Sequence, residues 1–244
     1  MAPDAVRTMF DRIAPVYDLM NRVMTAGLDL RWRRLAARAV VQPGDSVLDA
    51  ACGTGDLAIA DRKAGAEKVT GLDFSERMLE RARRKAPELE WVQGDMLALP
   101  FADGTFDSAT VGFGVRNVAD LELALRELRR VLRPGGRLAI LEITQARGVL
   151  KPFFSLWFDR IVPLIGKLLP GGSAYTYLPA SVKRFPSAEE LADLLRSLGF
   201  GDVGFRLFGG TIVALHTGVV ETSRRLDGGS QGAEAPALPA PERG

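Results

Sequence analysis

The chain has 244 residues, of which 47% are hydrophobic and 25% charged, a balance typical of globular proteins with a sizeable core. Its 32 basic and 30 acidic residues leave a net charge of +2, so the charge gives no reason to expect nucleic acid as a partner. The single cysteine and single histidine exclude an internal disulfide, a Cys/His metal cluster and any mechanism that needs two histidines.

Short apolar runs alternate with helical patterns along most of the chain, which predicts a mostly parallel sheet with helices on both faces. Strands are expected at Ser46–Ala50, Lys68–Asp73, Glu90–Gly94, Phe106–Val111 and Arg137–Glu142. Helices are expected at Asp56–Ala64, Ser75–Lys85, Leu121–Leu132 and Ser187–Leu198. Pro134-Gly135-Gly136 is expected to end the third of these helices and to turn the chain into the fifth strand. Asp202–Phe208 and Thr211–His216 are separated by two glycines, which predicts an edge hairpin with one antiparallel strand.

Three stretches lie outside this alternating core. Residues 1–40 predict an N-terminal helical lid ahead of a main domain at 41–218, and residues 148–186 are an apolar insert within that domain. Residues 219–244 are rich in glycine, proline and small polar residues, which predicts a disordered tail. Because no leader follows Met1 and no apolar stretch is long enough to span a bilayer, we expect a cytoplasmic protein.

The first strand runs into a glycine loop at residues 51–56, at the end of the sheet where α/β proteins bind ligands. The G-x-G-x-x-A pattern that starts at Gly53 also fits dinucleotide-binding proteins, so a nicotinamide cofactor must be considered. However, Asp56 and Asp49 place negative charge where a pyrophosphate would bind. The loop therefore favours a cofactor with a cationic amino group and no phosphate, such as S-adenosylmethionine (SAM).

Acidic residues also follow the next two strands. Asp73 can accept both hydroxyls of a ribose, Asp95 can accept the amino group of an adenine, and Met96 can pack on its ring. Any one of these carboxylates could simply cap a turn, but Asp49, Asp73 and Asp95 at successive strand ends favour a cofactor site. Cys52 is interpreted as a packing residue of the loop, because no histidine lies near it in the sequence.

Several separated motifs carry a family resemblance. Four stretches resemble the motif series of class I SAM-dependent methyltransferases: VLDAACGTGD at 47–56, GLDFS at 71–75, GDMLALPF at 94–101 and RVLRPGG at 130–136. Three segments resemble, more narrowly, the menaquinone/ubiquinone biosynthesis C-methyltransferase family. They are YDLMN at 17–21 with Thr25 and Trp32, GFGVRN at 112–117, and the segment 130–144. The hairpin GGTIVALH at 209–216 resembles the family's C-terminal end, so the similarity runs from about Thr8 to Gly218.

The resemblance implies a class I Rossmann-like methyltransferase domain, SAM as methyl donor and a demethylated polyprenyl quinol as acceptor. Demethylmenaquinol is preferred to the corresponding benzoquinol. The residues expected at the SAM site are Asp49, Gly53, Thr54, Gly55, Asp73, Asp95, Met96 and, through its backbone, Gly112. No metal is expected.

The chemistry of a quinol acceptor suggests which residues are catalytic. A ring carbon becomes a good nucleophile once a ring hydroxyl loses its proton, so the site needs a cation or donors for the phenolate oxygen. Arg116 is expected to favour the ionised quinol and Asn117 to orient the ring oxygen. Asp18, Asp29, His216 or a water molecule could act as the base. An isolated arginine at a strand end could instead form an ordinary surface salt bridge, and His216 could be an edge-strand residue without a role in catalysis.

The chain departs from the family pattern at four positions. Asp29 stands where the first family signature usually has histidine, so the role of that histidine cannot be transferred. Thr25 and Thr144 replace serines but keep the hydroxyl group. Gly112 occupies a position where some members use serine to contact the cofactor.

The remaining expectations concern partners. The apolar insert is interpreted as a channel wall for the isoprenoid tail that also touches the bilayer surface, although a homodimer interface would explain it nearly as well. A run of arginines is interpreted as a solvated helix face with weak attraction to a membrane: Arg31, Arg33, Arg34 and Arg38. The alternatives for function are a methyltransferase for another phenolic or isoprenoid substrate, a SAM-binding scaffold without activity, and a nicotinamide oxidoreductase.

Overall fold

A computed structural model describes residues 3–145 and 180–222. The helices are α1 (Pro3–Ile13), α2 (Tyr17–Thr25), α3 (Leu28–Val40), α4 (Asp56–Ala64), α5 (Glu76–Lys85), α6 (Leu121–Val131) and α7 (Ala188–Ser197). Residues 180–184 are also helical, and short 3-10 turns occupy Ala14–Val16 and Val115–Asn117. The strands are β1 (Ser46–Ala50), β2 (Lys68–Asp73), β3 (Glu90–Gln93), β4 (Phe106–Gly112), β5 (Leu132–Ile143), β6 (Phe200–Phe208) and β7 (Val213–Val220).

The strands form one seven-stranded sheet in the order β3-β2-β1-β4-β5-β7-β6. Strands β1 to β5 are parallel, whereas β7 is antiparallel to both β5 and β6. The predicted α/β class with an antiparallel C-terminal hairpin is thus confirmed. The chain leaves β1 toward β2 on one side and later returns to β4 on the other, so the carboxyl ends of β1 and β4 flank a topological switch point.

Buried side chains cover both faces of this sheet. On one face Leu125 and Leu128 of α6 pack with Leu191 of α7, and on the other Ala36 and Leu57 bring α3 and α4 against the strands. Local signals fix where these helices start. Ser75 accepts a hydrogen bond from the Met78 amide at 3.2 Å, as expected of an N-cap, and α7 begins with a capping box.

Several predicted boundaries are wrong. Strand β6 begins at Phe200 and β7 at Val213, so residues 209–212, and not two glycines alone, connect the edge hairpin. Pairing of β5 with β4 already begins at Leu132, and Pro134-Gly135-Gly136 lies in a bulge inside the strand because the register shifts between Phe106 and Ser108. Strand β7 extends to Val220, so the first two residues of the predicted tail are paired in the sheet. The rest of that tail from 223, and the insert up to residue 179, lie outside the described residues.

The three N-terminal helices lie against the end of the sheet that carries the glycine loop. Asp11 of α1 accepts a hydrogen bond from the Ser75 hydroxyl at 2.6 Å, and the Pro15 carbonyl accepts one from Arg81 at 3.0 Å. Helix α3 packs along α4 and β5. Residues 3–40 therefore contact the same edge of the sheet at which a ligand is expected.

Candidate active site

A cavity of about 430 Å³ lies at the carboxyl ends of the parallel strands, a size within the range of cofactor and ligand sites. Five residues predicted from the sequence line it: Asp73, Asp95, Met96, Arg116 and Asn117. Asp73 ends β2, Asp95 and Met96 follow β3, and the last two follow β4. Residues predicted for cofactor binding and for catalysis thus share one cavity.

A smaller cavity of about 30 Å³ lies beside it, under the N-terminal helices. It is lined by Gly53 and Gly112, both expected at the cofactor site, and by Tyr17 of α2. Asp73 and Asn117 line both cavities. These two side chains therefore lie where the glycine loop meets the larger cavity.

The glycine loop is held by Asp73. The Gly53 amide donates to Asp73 Oδ2 at 2.8 Å, and the Ser75 amide donates to Oδ1 at 2.9 Å. Burial raises the pKa of Asp73 to about 6, although these two amides counteract the shift. Gly53 and Gly55 have φ values of +56° and +86°, which only glycine adopts readily. A Cβ at Gly55 would also lie 2.5 Å from the Trp91 ring, so packing explains this glycine without a ligand.

Asp49 lies beneath the loop and is completely buried. Neither of its carboxylate oxygens makes a hydrogen bond of standard geometry within the described part of the chain. Burial raises the pKa of Asp49 to about 8, while the charge of Arg33 and the Ala58 amide act in the opposite direction. Burial, together with the nearby charge of Asp49, also raises the pKa of a second carboxyl group, that of Asp61, which accepts a hydrogen bond from the Thr110 hydroxyl at 2.7 Å.

Arg33 is buried, so the interpretation of this arginine as part of a solvated helix face is wrong. Its guanidinium lies 5.1 Å from the centre of the Phe113 ring, and its Nε lies 3.8 Å from Asp29. A Cβ at Gly112 would lie 2.9 Å from Arg33 Nη1. The side chain thus reaches from α3 to the end of β4, next to the small cavity.

A network of ion pairs fastens helix α2 to the glycine loop. Asp18 accepts a hydrogen bond from the Thr54 hydroxyl at 2.5 Å and pairs with Lys85 at 2.6 Å. Lys85 also pairs with Asp56 at 2.9 Å, and Asp56 pairs with Arg22 at 2.6 Å. We call these five residues the latch.

The latch changes the interpretation of three predicted residues. Thr54 is buried by its contacts with Asp18 and Lys85, and it does not line the cavity. Asp18 likewise serves the latch. The carboxylate of Asp56, which was expected to repel a pyrophosphate, is compensated by two cations that lower its pKa, so this argument against a nucleotide loses its force.

Asp29 belongs to the same region. It is buried, pairs with Arg22 and Arg33, and accepts a hydrogen bond from the Thr25 hydroxyl at 3.0 Å. The anion that replaces the family's usual histidine is therefore compensated by two arginines. Its partners explain why a carboxylate is tolerated at this position.

Arg116 is held by a buried acid that the sequence analysis did not single out. Its Nη1 donates to Glu142 Oε1 at 2.6 Å and to the Phe113 carbonyl at 2.8 Å, and its backbone amide donates to Glu142 Oε2 at 3.2 Å. Asn117 donates to the same carbonyl at 3.4 Å. Arg116 Nε and Asn117 Oδ1 make no hydrogen bond within the described part of the chain. They are the donor and the acceptor that this turn leaves unused.

His216 lies elsewhere in the fold. Its ring is buried on β7, 5.4 Å from the Phe205 ring, and Nε2 forms a hydrogen bond with the Ala188 carbonyl at 2.8 Å. Burial lowers its pKa. Among the described residues that line the large cavity, the three proposed bases Asp18, Asp29 and His216 are absent. Cys52 is buried as expected of a packing residue, and burial raises the pKa of its thiol.

Other cavity residues escaped the sequence analysis because no motif marks them. They come from α1 and from the end of the apolar insert, and they include Val6, Ser181, Arg184 and Phe185. The lining of one wall by residues 181–186 agrees with the idea that the insert contributes to the acceptor site. Its apolar composition was the only signal in the sequence.

The fold and this site define a class I SAM-dependent methyltransferase. A similar fold is found in a solved SAM-dependent methyltransferase from Thermotoga maritima, described as a possible histamine N-methyltransferase. The two chains share 22% identity with a TM-score of 0.64, and the similarity covers 88% of this chain and 100% of the other. At this identity the likeness concerns the fold alone.

The sequence comparisons are more specific. The profile of the ubiE/COQ5 methyltransferase family matches residues 2–220, and the chain belongs to this family. The demethylmenaquinone methyltransferase of Thermus thermophilus is 46% identical over 219 residues, which cover 86% of this chain and 99% of that protein. The protein of the same name from Deinococcus radiodurans is 46% identical over 204 residues, covering 80% and 85% of the two chains.

Proposed function

We propose that the chain transfers the methyl group of SAM to a ring carbon of a demethylated polyprenyl quinol, with demethylmenaquinol as the acceptor and menaquinol as the product. One observation carries the proposal: Asp73, Asp95 and Met96 line the same cavity as Arg116 and Asn117. The names of the Thermus and Deinococcus relatives support the choice of a naphthoquinol over a benzoquinol.

Residues at the carboxyl ends of β1, β2 and β3 fit the donor. Asp73 offers a carboxylate for the ribose hydroxyls, Asp95 an acceptor for the adenine amino group, and Met96 an apolar surface for the ring. Asp49 is buried at the end of β1 without a hydrogen bond of standard geometry, and burial keeps it protonated in the free chain by raising its pKa to about 8. A cationic amino group bound at the loop would favour its ionised form. When bound, SAM supplies a methyl group that is already strongly electrophilic.

On the acceptor side, Arg116 acts as a donor within an ion pair. Because Glu142 compensates its charge, Arg116 favours a phenolate less through net charge than through the N–H donors that its guanidinium presents at the cavity wall. Asn117 lines the same cavity and offers an amide group to orient the second ring hydroxyl. Together they hold the ring so that the reacting carbon faces the donor side of the cavity.

The N-terminal helices contribute by excluding water. The latch holds α2 over the glycine loop, and Tyr17 lines the small cavity between them. We therefore assign residues 1–40 as a lid on the domain at 41–218, and we assign the described end of the insert, residues 181–186, to the wall that takes the prenyl chain. A closed lid strengthens the polar contacts inside the site and keeps the ring from bulk solvent.

The test is transfer of a labelled SAM methyl group to a short-chain demethylmenaquinol analogue, with and without a reductant. We expect turnover only with the reductant, because the quinone form has no ring hydroxyl to ionise. A benzoquinol analogue serves as the comparison acceptor. SAM binding without methylation of either acceptor would contradict the proposed activity and would favour a scaffold that binds SAM.

Arg116→Ala separates the two halves of the site. We expect it to retain SAM affinity and to lose turnover, whereas the exposed Arg126→Ala on α6 should retain both. Equal loss of affinity and turnover in Arg116→Ala would contradict its place on the acceptor side.

A further inference from the structure

The turn after β4 contains a strained residue. Phe113 has a φ of +61°, and among the described residues it is the only aromatic one in the left-handed region, where a bulky side chain is disfavoured. It lines the small cavity together with Gly53 and Asn117. Conformations of this kind persist only where several contacts hold them, and they cluster at ligand sites. The contacts of Phe113 therefore deserve a functional explanation.

The backbone of Phe113 serves both residues proposed for the acceptor. Its carbonyl accepts hydrogen bonds from Arg116 Nη1 at 2.8 Å and from Asn117 Nδ2 at 3.4 Å. Its amide donates to the Leu141 carbonyl at 2.8 Å, which keeps the turn attached to β5. An extended residue would continue β4, whereas the left-handed one ends the strand and turns its carbonyl toward the residues that follow. The positions of Arg116 and Asn117 thus depend on the backbone conformation of Phe113.

The ring of Phe113 is held from helix α3. The guanidinium of Arg33 lies 5.1 Å from the ring centre, and Arg33 is itself buried beside Asp29. A cation over an aromatic face is attracted by the ring, and the attraction grows when water is excluded. The ring also packs against the buried residues between α3, α4 and the sheet. Close packing confines the next residue as well, since a Cβ at Gly114 would lie 2.5 Å from Ala51 Cβ.

We propose that Phe113 is a positioning residue for the acceptor. Arg33 holds the ring, the ring keeps the backbone in the left-handed region, and the carbonyl in turn orients Arg116 and Asn117 at the wall of the large cavity. In the described part of the chain Phe113 does not itself line that cavity, so it acts through its neighbours. The inference rests on the proposed function, which places the quinol ring against these two side chains. Because α3 belongs to the proposed lid, the contact also links the lid to the acceptor residues.

The test removes the aromatic face of Phe113 and keeps an apolar side chain. Phe113→Leu and Phe113→Met should lower the turnover number about tenfold, while SAM affinity measured by calorimetry changes by less than about threefold. Phe113→Tyr retains the aromatic face and should stay within about twofold of the unmodified chain.

Phe208→Leu is the matched control. The guanidinium of Arg206 lies 5.1 Å from the Phe208 ring, and this ring packs against the same buried residues as Phe113. Among the described residues that line the two cavities, however, Phe208 is absent. Phe208→Leu should therefore lower the melting temperature about as much as Phe113→Leu and leave turnover unchanged.

A second measurement does not depend on activity. The sequence has two asparagines, Asn21 and Asn117, so labelling with nitrogen-15 asparagine gives two side-chain amide groups in the spectrum. Exchange of the Asn117 amide protons with water should become about fivefold faster in Phe113→Leu, because the carbonyl that accepts from this amide moves away. Asn21 lies on α2 and is the internal reference, which should not change.

The outcomes distinguish this proposal from the proposed function. Absence of methylation by the unmodified chain would overturn the function, and the exchange of the Asn117 amide would still decide the role of Phe113. Equal turnover in Phe113→Leu, Phe208→Leu and the unmodified chain would overturn the positioning role, as would unchanged exchange. A loss of SAM affinity as large as the loss of turnover would also overturn it, because Phe113 would then act on the donor side. If Phe113→Tyr is as impaired as Phe113→Leu, the aromatic face is not what holds the turn and the proposal fails.

Discussion

Arg116 donates two hydrogen bonds to the buried carboxylate of Glu142, one from guanidinium Nη1 at 2.6 Å and one from its backbone amide at 3.2 Å. Glu142 lies near the end of β5 and Arg116 in the turn after β4, so this pair connects two neighbouring strands at the mouth of the cavity. It fixes both the backbone and the side chain of the residue proposed to hold the acceptor. Glu142 is therefore a positioning residue.

We expect Glu142→Gln to lower the free energy of unfolding by about 3 kcal/mol, because it leaves a largely buried guanidinium without its counter-charge. Methyl transfer should fall with little change in SAM affinity, since Glu142 is not among the described residues that line the cavity. Urea denaturation and calorimetry of SAM binding measure the two effects. Glu122→Gln, which breaks an exposed pair with Arg126, should cost less than about 1 kcal/mol.

Because the latch holds the lid through ion pairs, we expect the lid to loosen when salt is added or when a latch residue is replaced. Asp18→Ala removes the contacts with Thr54 and Lys85 and should make the segment before residue 40 more sensitive to limited proteolysis. The loss of global stability should stay near 1 kcal/mol because both partners of the ion pair are partly exposed. Asp103→Ala breaks the more exposed pair with Arg130 and is the control. Proteolysis at the same rate in both variants would contradict a lid held by Asp18.

Much of the fold could be predicted because its signals are local. Strands β1 and β2 and helix α4 have the predicted bounds, since each is an apolar or periodic run that ends at a glycine or a polar turn. The error at Pro134-Gly135-Gly136 arose because a bulge and a turn share the same residues, and only pairing with β4 distinguishes them.

The site could be predicted only as far as sequence position determines proximity. Residues at successive strand ends, such as Asp73 and Asn117, meet because parallel strands end at one edge of the sheet. The partners of Asp18, Asp29 and Arg33 come from elements far apart in the chain, and no spacing rule connects them. Arg33 was missed for this reason, because a buried arginine and a solvated one look alike in a basic helix.

The raised pKa of Asp49 predicts a specific dependence of stability on pH. Its pKa is about 8 in the folded chain and near 3.8 when unfolded, so between these values the folded state holds a proton that the unfolded state has lost. The free energy of unfolding should therefore fall as the pH rises from about 4 to about 8, by up to about 1.4 kcal/mol per pH unit for one carboxyl group.

Asp49→Asn isolates this effect. The buried His216, whose pKa is lowered, acts in the opposite direction, but it is present in both proteins and cancels in their difference. Denaturation in urea at several pH values between about 5 and 8 should give a weaker decline for the variant than for the unmodified chain. Asp103→Asn, at an exposed position, should leave the profile unchanged. Parallel profiles for Asp49→Asn and the unmodified chain would contradict a protonated Asp49 in the folded state.

Because Arg33 lies against Gly112, we expect substitutions at these two positions to have non-additive effects on stability. A Cβ at Gly112 would lie 2.9 Å from Arg33 Nη1 and 2.9 Å from Leu57 Cδ2. The serine that some family members have at this position therefore does not fit beside the guanidinium. We expect Gly112→Ser to cost about 1 to 3 kcal/mol of stability. Lysine lacks the branched end of arginine, so the same substitution in an Arg33→Lys background should cost about 1 kcal/mol less.

The matched control is Gly204→Ser on β6, where a Cβ would meet no atom within 4 Å, and it should change stability by less than about 0.5 kcal/mol. A double-mutant cycle measured by urea denaturation gives the coupling directly. If Gly112→Ser costs the same with arginine and with lysine at position 33, the clash is with Leu57 and the size of the buried cation is irrelevant. If the cost falls with lysine, Arg33 sets which residue can occupy the end of β4, and the glycine at the cofactor site follows from the buried arginine.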